Sequence, residues 1–144
     1  MRREVVVVLP YAGGRVLMHL RDRNAKYNPE MWGFFSGGVE PGETPMECAL
    51  REIEEEINLK PAAIHKLDSR QSEDLTHVVS HAFYCALDVP LDSLILREGL
   101  DSGLFTVEEI ESGQLYSGKF KRPFPVAPFR YIPNTVKRLF KRLE

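Results

Sequence analysis

Residues 37–59 constrain the fold of this chain more than any other segment, because they carry the signals for a loop and a helix in direct succession. A Pro-Gly pair marks a turn, and Thr44 followed three residues later by Glu47 is the capping-box signature of a helix start. Asn58 suits the left-handed residue that ends many helices. Apolar residues at spacings of three and four predict that the helix buries one stripe, made of Met46, Ala49, Leu50, Ile53 and Ile57.

The segments around this helix are predicted to form strands. Residues 5–11 and 15–21 are extended and are separated by two glycines, which predicts a hairpin. Residues 77–89 give the strongest strand pattern and are expected in the centre of the sheet. Thr106 is predicted to start a short helix and Asn134 to cap the last one. Shorter strands are predicted at residues 31–35, 63–67 and 103–106.

Length and composition are those of one compact domain, residues 1–144. An apolar fraction of 43% and a charged fraction of 28% are typical of globular chains and exclude disordered and fibrous classes. The apolar run at residues 5–9 ends at Pro10, too short for a secretion signal, and no stretch has the roughly 20 apolar residues of a membrane helix. The two cysteines, Cys48 and Cys85, lie in apolar segments and do not indicate a disulfide framework. We therefore expect a cytoplasmic protein without membrane association.

The predicted helix carries a dense set of carboxylates. Three of these carboxylates project along one helical face, because Glu55 and Glu56 lie three and four residues after Glu52. This face lies away from the apolar stripe. Like charges at this spacing destabilise a helix unless solvent or a bound cation compensates them. Oxygen ligands favour a hard ion such as Mg²⁺, Mn²⁺ or Ca²⁺. A solvated charged face and a cation platform are therefore both open from the helix alone.

The loop before the helix favours the cation platform. Gly37 is followed after five residues by Glu43, and after seven more by Arg51 and Glu52, with Ile53, Glu55, Glu56 and Leu59 in order. This arrangement resembles the Nudix box. Asn58 replaces the last glycine of that box, and Phe35-Ser36 stands where the family commonly has Pro-Gly. The resemblance implies an α+β fold, an α/β/α sandwich with a mixed β-sheet between helices.

The resemblance also implies roles for individual residues. Glu55 and Glu56 would bind Mg²⁺, or alternatively Mn²⁺, and Glu52 would be a further ligand or the general base. Arg51 would orient the carboxylates, and the backbone oxygen of Ser36 could contact the metal. Glu98 would lie in a late loop as an additional ligand or the alternative base, with Asp101 as its competitor. Gly37 and Glu43 would support the site.

The activity implied is attack of water on phosphorus in a diphosphate linkage of a small nucleotide-like substrate, most simply a nucleoside di- or triphosphate, including oxidised ones. ADP-ribose, NDP-sugars and dinucleoside polyphosphates are the alternatives, and a non-catalytic nucleotide-sensing or protein-binding module is the alternative class. A nucleic acid is not an expected partner. A monomer or a homodimer is expected, and substrate-binding residues are left unassigned.

Several other polar residues are expected to have structural roles. Cys48 lies on the buried side of the helix without an evident base, so it is not expected to be a nucleophile. His77 and His81 lack the spacing of a metal motif. Four aromatic residues of the basic C-terminal segment could stack a base but are expected to cover the core, namely Phe120, Phe124, Phe129 and Tyr131. The basic residues of the last helix are expected to form its solvated face, namely Lys137, Arg138, Lys141 and Arg142.

Overall fold

The computed structural model describes residues 2–72 and 77–144. In chain order the strands are β1 (Arg3–Ala12), β2 (Arg15–Leu20), β3 (Trp32–Gly33), β4 (Phe35–Gly38), β5 (His65–Gln71), β6 (Val78–Ala86), β7 (Asp101–Phe105), β8 (Gln114–Ser117) and β9 (Arg122–Pro125). The α-helices are α1 (Pro45–Ile57), α2 (Val107–Glu111) and α3 (Tyr131–Arg142). In this part of the chain no helix is long and apolar enough to span a membrane.

A mixed sheet forms the centre of the molecule. Its strand order is β3-β2-β1-β6-β5, with β4 also paired to β1 and β7 to β2. The pairing of β1 with β6 is parallel and the other pairings of this sheet are antiparallel. The predicted hairpin is confirmed, since β1 and β2 pair and Gly13 and Gly14 both have positive φ. The strong strand pattern of residues 77–89 becomes β6, which lies between β1 and β5.

Helices cover both faces of this sheet. On one face, Ala49 and Ile53 of α1 pack against a layer that contains Val6 and Phe83. On the other, Leu139 of α3 joins the core formed by Trp32 and other side chains. Burying a large apolar side chain contributes about 1.5–3 kcal/mol before entropy is counted. The predicted α/β/α sandwich with a mixed sheet is therefore the observed architecture.

Local signals determine both ends of α1. Thr44 Oγ1 accepts a hydrogen bond from the Glu47 backbone N–H at 3.1 Å, and Glu47 Oε1 accepts one from the Thr44 N–H at 2.9 Å. Asn58 closes the helix with φ 58° and ψ 33°. Asparagine tolerates this left-handed conformation, which explains how it can replace a glycine here.

The predicted apolar stripe of α1 is partly wrong. Met46 and Leu50 are 41% and 39% exposed, whereas Cys48 and Glu56 are buried. The helix is rotated about its axis toward Cys48, because its packing against β1 and β4 decides which face is covered. Glu56 consequently lies on the buried face, and the prediction that all three carboxylates point away from it is wrong for this residue.

The C-terminal part also differs from the prediction. Asn134 does not cap α3, because this helix already begins at Tyr131 and Asn134 lies within it. The proline-rich segment before it contains β9, which pairs with β8 in a separate two-stranded sheet. Proline is tolerated in such a strand because one of its edges needs no hydrogen-bond donor. The basic residues of α3 are exposed, as predicted.

Candidate functional site

Arg51 organises the acidic residues of α1 and of the preceding loop. Its Nε and Nη2 donate to the two carboxylate oxygens of Glu43 at 2.7 and 3.0 Å. Nη1 donates to Glu52 at 2.9 Å and to Glu55 at 3.3 Å. Nη2 also donates to the carbonyl of Gly38 at 3.2 Å, which ties the helix to β4. The guanidinium is thus used to hold carboxylates in place.

Glu43 is the carboxylate that Arg51 holds most firmly. Hydrogen bonding to Arg51 is the main cause that lowers the pKa of Glu43 to about 2, and the backbone N–H of Glu40 adds to this effect. Glu43 therefore stays ionised and holds the Arg51 guanidinium through two hydrogen bonds. This contact gives the supporting role predicted for Glu43 a geometric basis.

Gly37 makes room for Glu52. A Cβ on Gly37 would lie 2.1 Å from Glu52 Cδ and 2.3 Å from its Oε1, a distance at which one of the two groups must move. The carboxylate of Glu52 therefore packs directly on the β4 backbone. Burial is the largest cause that raises the pKa of Glu52, and the charges of Glu55 and Glu98 act in the same direction against the opposing effect of Arg51.

Glu56 is the most constrained acid of the site. Its side chain is 4% exposed, and Oε2 is a buried oxygen with no hydrogen-bond partner among the described residues. Burial, followed by the negative charges of Glu52 and Glu98, raises the pKa of Glu56 to about 9. An unpaired buried carboxylate is costly, so this position demands a proton or a cation.

Glu98 is brought to the same place by a loop that α1 itself fixes. The backbone N–H of Arg97 donates to the Glu56 carbonyl at 2.8 Å, and that of Ile95 donates to the Ile57 carbonyl at 3.2 Å. Glu98 lines a cavity together with Glu56. Its competitor Asp101 faces elsewhere, since its carboxylate accepts a hydrogen bond from Ser117 Oγ at 2.6 Å.

His19 was missed by sequence reasoning. It lies on β2, is nearly buried, and stacks on Phe35 with ring centroids 4.8 Å apart. Its Nδ1 is 4.0 Å from Glu56 Oε1, and its Nε2 is 3.0 Å from the carbonyl oxygen of Glu98. Burial lowers the pKa of His19, which favours the neutral ring. No motif could have indicated it, because strand pairing and the 98–99 loop bring it to the site.

Two adjoining cavities meet at this site. One, of about 310 Å³, is lined by His19, Glu56 and Glu98. The other, of about 420 Å³, extends along the sheet. Ser36 and Arg21 line both cavities, so Ser36 stands between the acidic and the open compartment.

The larger cavity supplies the substrate-binding candidates that the sequence left unassigned. Arg3, Arg21 and Arg70 line it, and the guanidinium of Arg70 lies over the ring of Tyr131 at 3.7 Å. Phe129 stacks on Tyr131 with ring centroids 5.9 Å apart. Both aromatic rings pack against the core, as predicted, but they also form the cavity wall.

Other predicted structural residues keep structural roles. Cys48 is buried beside Gly38, and burial raises its pKa to about 12, which leaves it unreactive. His81 hydrogen-bonds Ser69 at 2.7 Å and Glu4 at 2.9 Å, apart from both cavities. His77 is exposed and directly precedes β6.

The donor set fits a hard divalent cation. The orphaned oxygen of Glu56, crowded by Glu52 and Glu98, is a buried acceptor that needs positive charge. Arg51 hydrogen-bonds Glu52 and Glu55. Within residues 2–72 and 77–144, no three acidic, histidine or cysteine side chains are grouped closely enough to hold a metal ion by themselves. Mg²⁺ tolerates this, because it keeps waters and recruits substrate phosphates rather than relying on an all-protein cage.

Comparisons with known proteins agree with this geometry. The NUDIX domain model matches residues 1–124. An RNA pyrophosphohydrolase of Francisella tularensis subsp. mediasiatica is 33% identical over 94 residues, which are 65% of this chain and 50% of that relative. This chain therefore spans about half the length of that protein.

Solved structures show the same fold. The MutT protein from Methanosarcina mazei Go1 superposes with a TM-score of 0.74 at 17% identity, covering 99% of this chain and 96% of that one. The NUDIX domain of Shewanella oneidensis NrtR, solved with ADP ribose, gives 0.72 at 16% identity, with coverage of 100% and 90%. The box residues, the architecture and a family model that covers most of the chain lead to one conclusion: this protein belongs to the NUDIX domain family.

Proposed function

We propose that this protein is a magnesium-dependent hydrolase that cleaves a diphosphate linkage in a nucleotide-like substrate, most simply a nucleoside di- or triphosphate. The observation that carries the proposal is Glu56, a buried carboxylate in an acidic cavity that adjoins an arginine-lined one. One of its oxygens has no hydrogen-bond partner among the described residues. Such a position binds a cation on one side and phosphate groups on the other.

The proposed roles follow from the contacts. Glu56, Glu55 and Glu52 hold the cation, with the Ser36 backbone oxygen and Glu98 as further donors. The bound cation supplies charge neutralisation for the phosphate oxygens and acidifies the attacking water. Arg51 keeps Glu52 and Glu55 aligned through its hydrogen bonds.

The base that removes the proton from water is Glu52 or Glu98. Both lie beside Glu56, and the raised pKa of Glu52 brings it closer to the range in which a general base is efficient. Gln variants at the two positions distinguish a base from a metal ligand. Loss of the base removes the acidic limb of the profile of kcat against pH, whereas loss of a ligand alone weakens metal binding.

The larger cavity suits a nucleotide. Arg21 borders both cavities and is placed to bind the scissile diphosphate, while Tyr131 and Phe129 offer rings against which a base can stack. A cavity of about 420 Å³ falls within the usual range for small-molecule sites. We expect the protein to act in the cytoplasm as a monomer or a homodimer.

A second candidate is pyrophosphate removal from RNA. It is favoured by the name of the RNA pyrophosphohydrolase relatives and by the arginines that line the larger cavity. ADP-ribose, the ligand of the solved NrtR domain, is a third substrate to test.

The test measures Mg²⁺-dependent release of phosphate or pyrophosphate from nucleoside di- and triphosphates, oxidised nucleotides, ADP-ribose, NDP-sugars, dinucleoside polyphosphates and triphosphorylated RNA. Glu55→Gln is the site variant. Glu54→Gln is the control, because Glu54 on the same helix has a half-exposed side chain that pairs with Lys60 at 3.7 Å. We expect turnover that falls at least a hundredfold in Glu55→Gln only. Nucleotide binding without turnover of any substrate would instead identify a non-catalytic module.

A further inference from the structure

His19 and Glu56 form a buried pair with unsatisfied atoms on both sides. His19 Nδ1 and Glu56 Oε2 are buried polar atoms without a hydrogen-bond partner among the described residues. Both side chains are more than nine-tenths buried, and both line the 310 Å³ cavity. Two unpaired polar atoms in one small buried region are too costly to be accidental, since each carries the full penalty of desolvation.

The hydrogen bonding of His19 determines which ring nitrogen carries the proton and which has a free lone pair. Nε2 lies 3.0 Å from the backbone carbonyl oxygen of Glu98, which can only accept, so Nε2 must carry the proton. Nδ1 of the neutral ring is then unprotonated, and its lone pair is available near Glu56. A carbonyl that fixes the tautomer in this way is the usual outer partner of a metal-ligating histidine.

The surrounding structure holds the ring in this orientation. Phe35 stacks on one side of the imidazole with an interplanar angle of 15°. Gly99 lets the loop lie close to the ring at Nε2, because a Cβ there would be 2.1 Å from that atom. Gly99 also has φ +92°, a conformation that favours glycine. The ring is therefore pre-oriented rather than free to rotate toward solvent.

From this geometry we propose that His19 Nδ1 is a direct ligand of the divalent cation held by Glu56. The inference rests on the proposed function only in taking Glu56 as a cation ligand. Nδ1 and Glu56 Oε1 are 4.0 Å apart. Metal bonds to imidazole nitrogen and carboxylate oxygen are about 2.0–2.2 Å long, so one ion can contact both atoms at this separation.

A nitrogen ligand changes which metal the site prefers. Imidazole is a poor ligand for Mg²⁺ but a good one for transition metals, and affinity rises from Mn²⁺ toward Co²⁺ and Ni²⁺. A His19 ligand therefore makes the site prefer first-row transition-metal ions such as Mn²⁺ to Mg²⁺ at equal concentration, while the carboxylates still bind Mg²⁺.

The test reads the ligand directly from the metal. Mn²⁺ is bound to the full chain, and pulsed EPR measures nitrogen hyperfine coupling in protein made with natural-abundance or with ¹⁵N-labelled histidine. We expect a nitrogen coupling that changes with the label and that is lost in His19→Phe. The same variant should bind Mn²⁺ at least tenfold more weakly, whereas its Mg²⁺ affinity should change by less than about threefold. His65→Gln, an exposed histidine on β5, is the matched control and should keep both.

The outcomes separate this inference from the proposed function. Bound Mn²⁺ without histidine coupling in the wild type would overturn the inference, whatever the variants do, and so would coupling that persists in both His19→Phe and His19→Gln. Failure to bind Mn²⁺ at all would overturn it as well. Histidine coupling in a protein that hydrolyses no diphosphate would leave the ligand assignment standing and refute the hydrolase.

Discussion

Replacing Glu56 by Gln is expected to stabilise the metal-free protein while removing its metal response. Burial raises the pKa of Glu56 to about 9 from an ordinary value of 4.5. Above pH 4.5 the unfolded chain releases this proton and the folded chain retains it, so stability is full below pH 4.5 and is lost as the pH rises toward about 9. At about 1.4 kcal/mol per pH unit, the loss reaches about 3 kcal/mol at pH 7.

The assay is urea unfolding in the presence of a chelator between about pH 5 and pH 8. The free energy of unfolding of Glu56→Gln minus that of the wild type should grow with pH over this range and reach about 3 kcal/mol at pH 7, because an amide cannot ionise. Glu54→Gln on the exposed face of α1 is the control and should show no such trend. Added Mg²⁺ at about 100 times its Kd should stabilise the wild type by about 2.7 kcal/mol, and the Gln variant much less.

Parallel pH dependences of the wild type and Glu56→Gln would refute the raised pKa of Glu56. Parallel curves would mean that Glu56 is ionised in the folded, metal-free protein, and that its unpartnered oxygen is compensated in another way. A destabilised Glu56→Gln with an intact Mg²⁺ response would equally remove Glu56 from the set of ligands.

Three further changes test other contacts of the site. Gly37→Ala should displace Glu52, whose Cδ would lie 2.1 Å from the new Cβ; we expect at least tenfold lower turnover with a loss of unfolding free energy of only about 1 kcal/mol, measured by steady-state kinetics and thermal unfolding. Gly99→Ala should cost about 1–3 kcal/mol in urea unfolding, more than Gly113→Ala, because Gly113 also has positive φ but has open space around it. Glu43→Gln should destabilise the protein above about pH 4.5 and progressively less as the pH falls toward 2, since the lowered pKa of Glu43 gives stability that is lost in that window; equal destabilisation at pH 7 and pH 3 would contradict its pairing with Arg51.

Local signals in the sequence were sufficient for several elements. Three of these features depend only on residues a few positions apart: the capping box at Thr44, the left-handed Asn58 and the double-glycine hairpin. They therefore do not depend on long-range packing. The box pattern likewise identified the family and brought forward Glu52, Glu55 and Glu56. It also predicted that Arg51 orients carboxylates, and in the structure Arg51 donates hydrogen bonds to Glu52 and Glu55.

Predictions that depended on long-range packing were less successful. No sequence pattern indicated β8 and β9, because a proline-rich segment resembles a loop until the two strands pair with each other. It placed the start of α3 at Asn134, although the helix begins at Tyr131, where that ring packs against the core. Loop and helix propensities are weak there, and tertiary contacts override them.

The amino-acid sequence by itself determined the box helix, its caps and the identity of its carboxylates, because these depend on spacing along one short segment. Only the tertiary structure decided that Glu56 is buried, since the rotation of α1 against β1 and β4 sets which face is covered. It alone brought His19 and Glu98 to that residue, and gathered Arg3, Arg21 and Arg70 along one cavity. Those residues are far apart in the chain, and only strand pairing and loop docking make them neighbours.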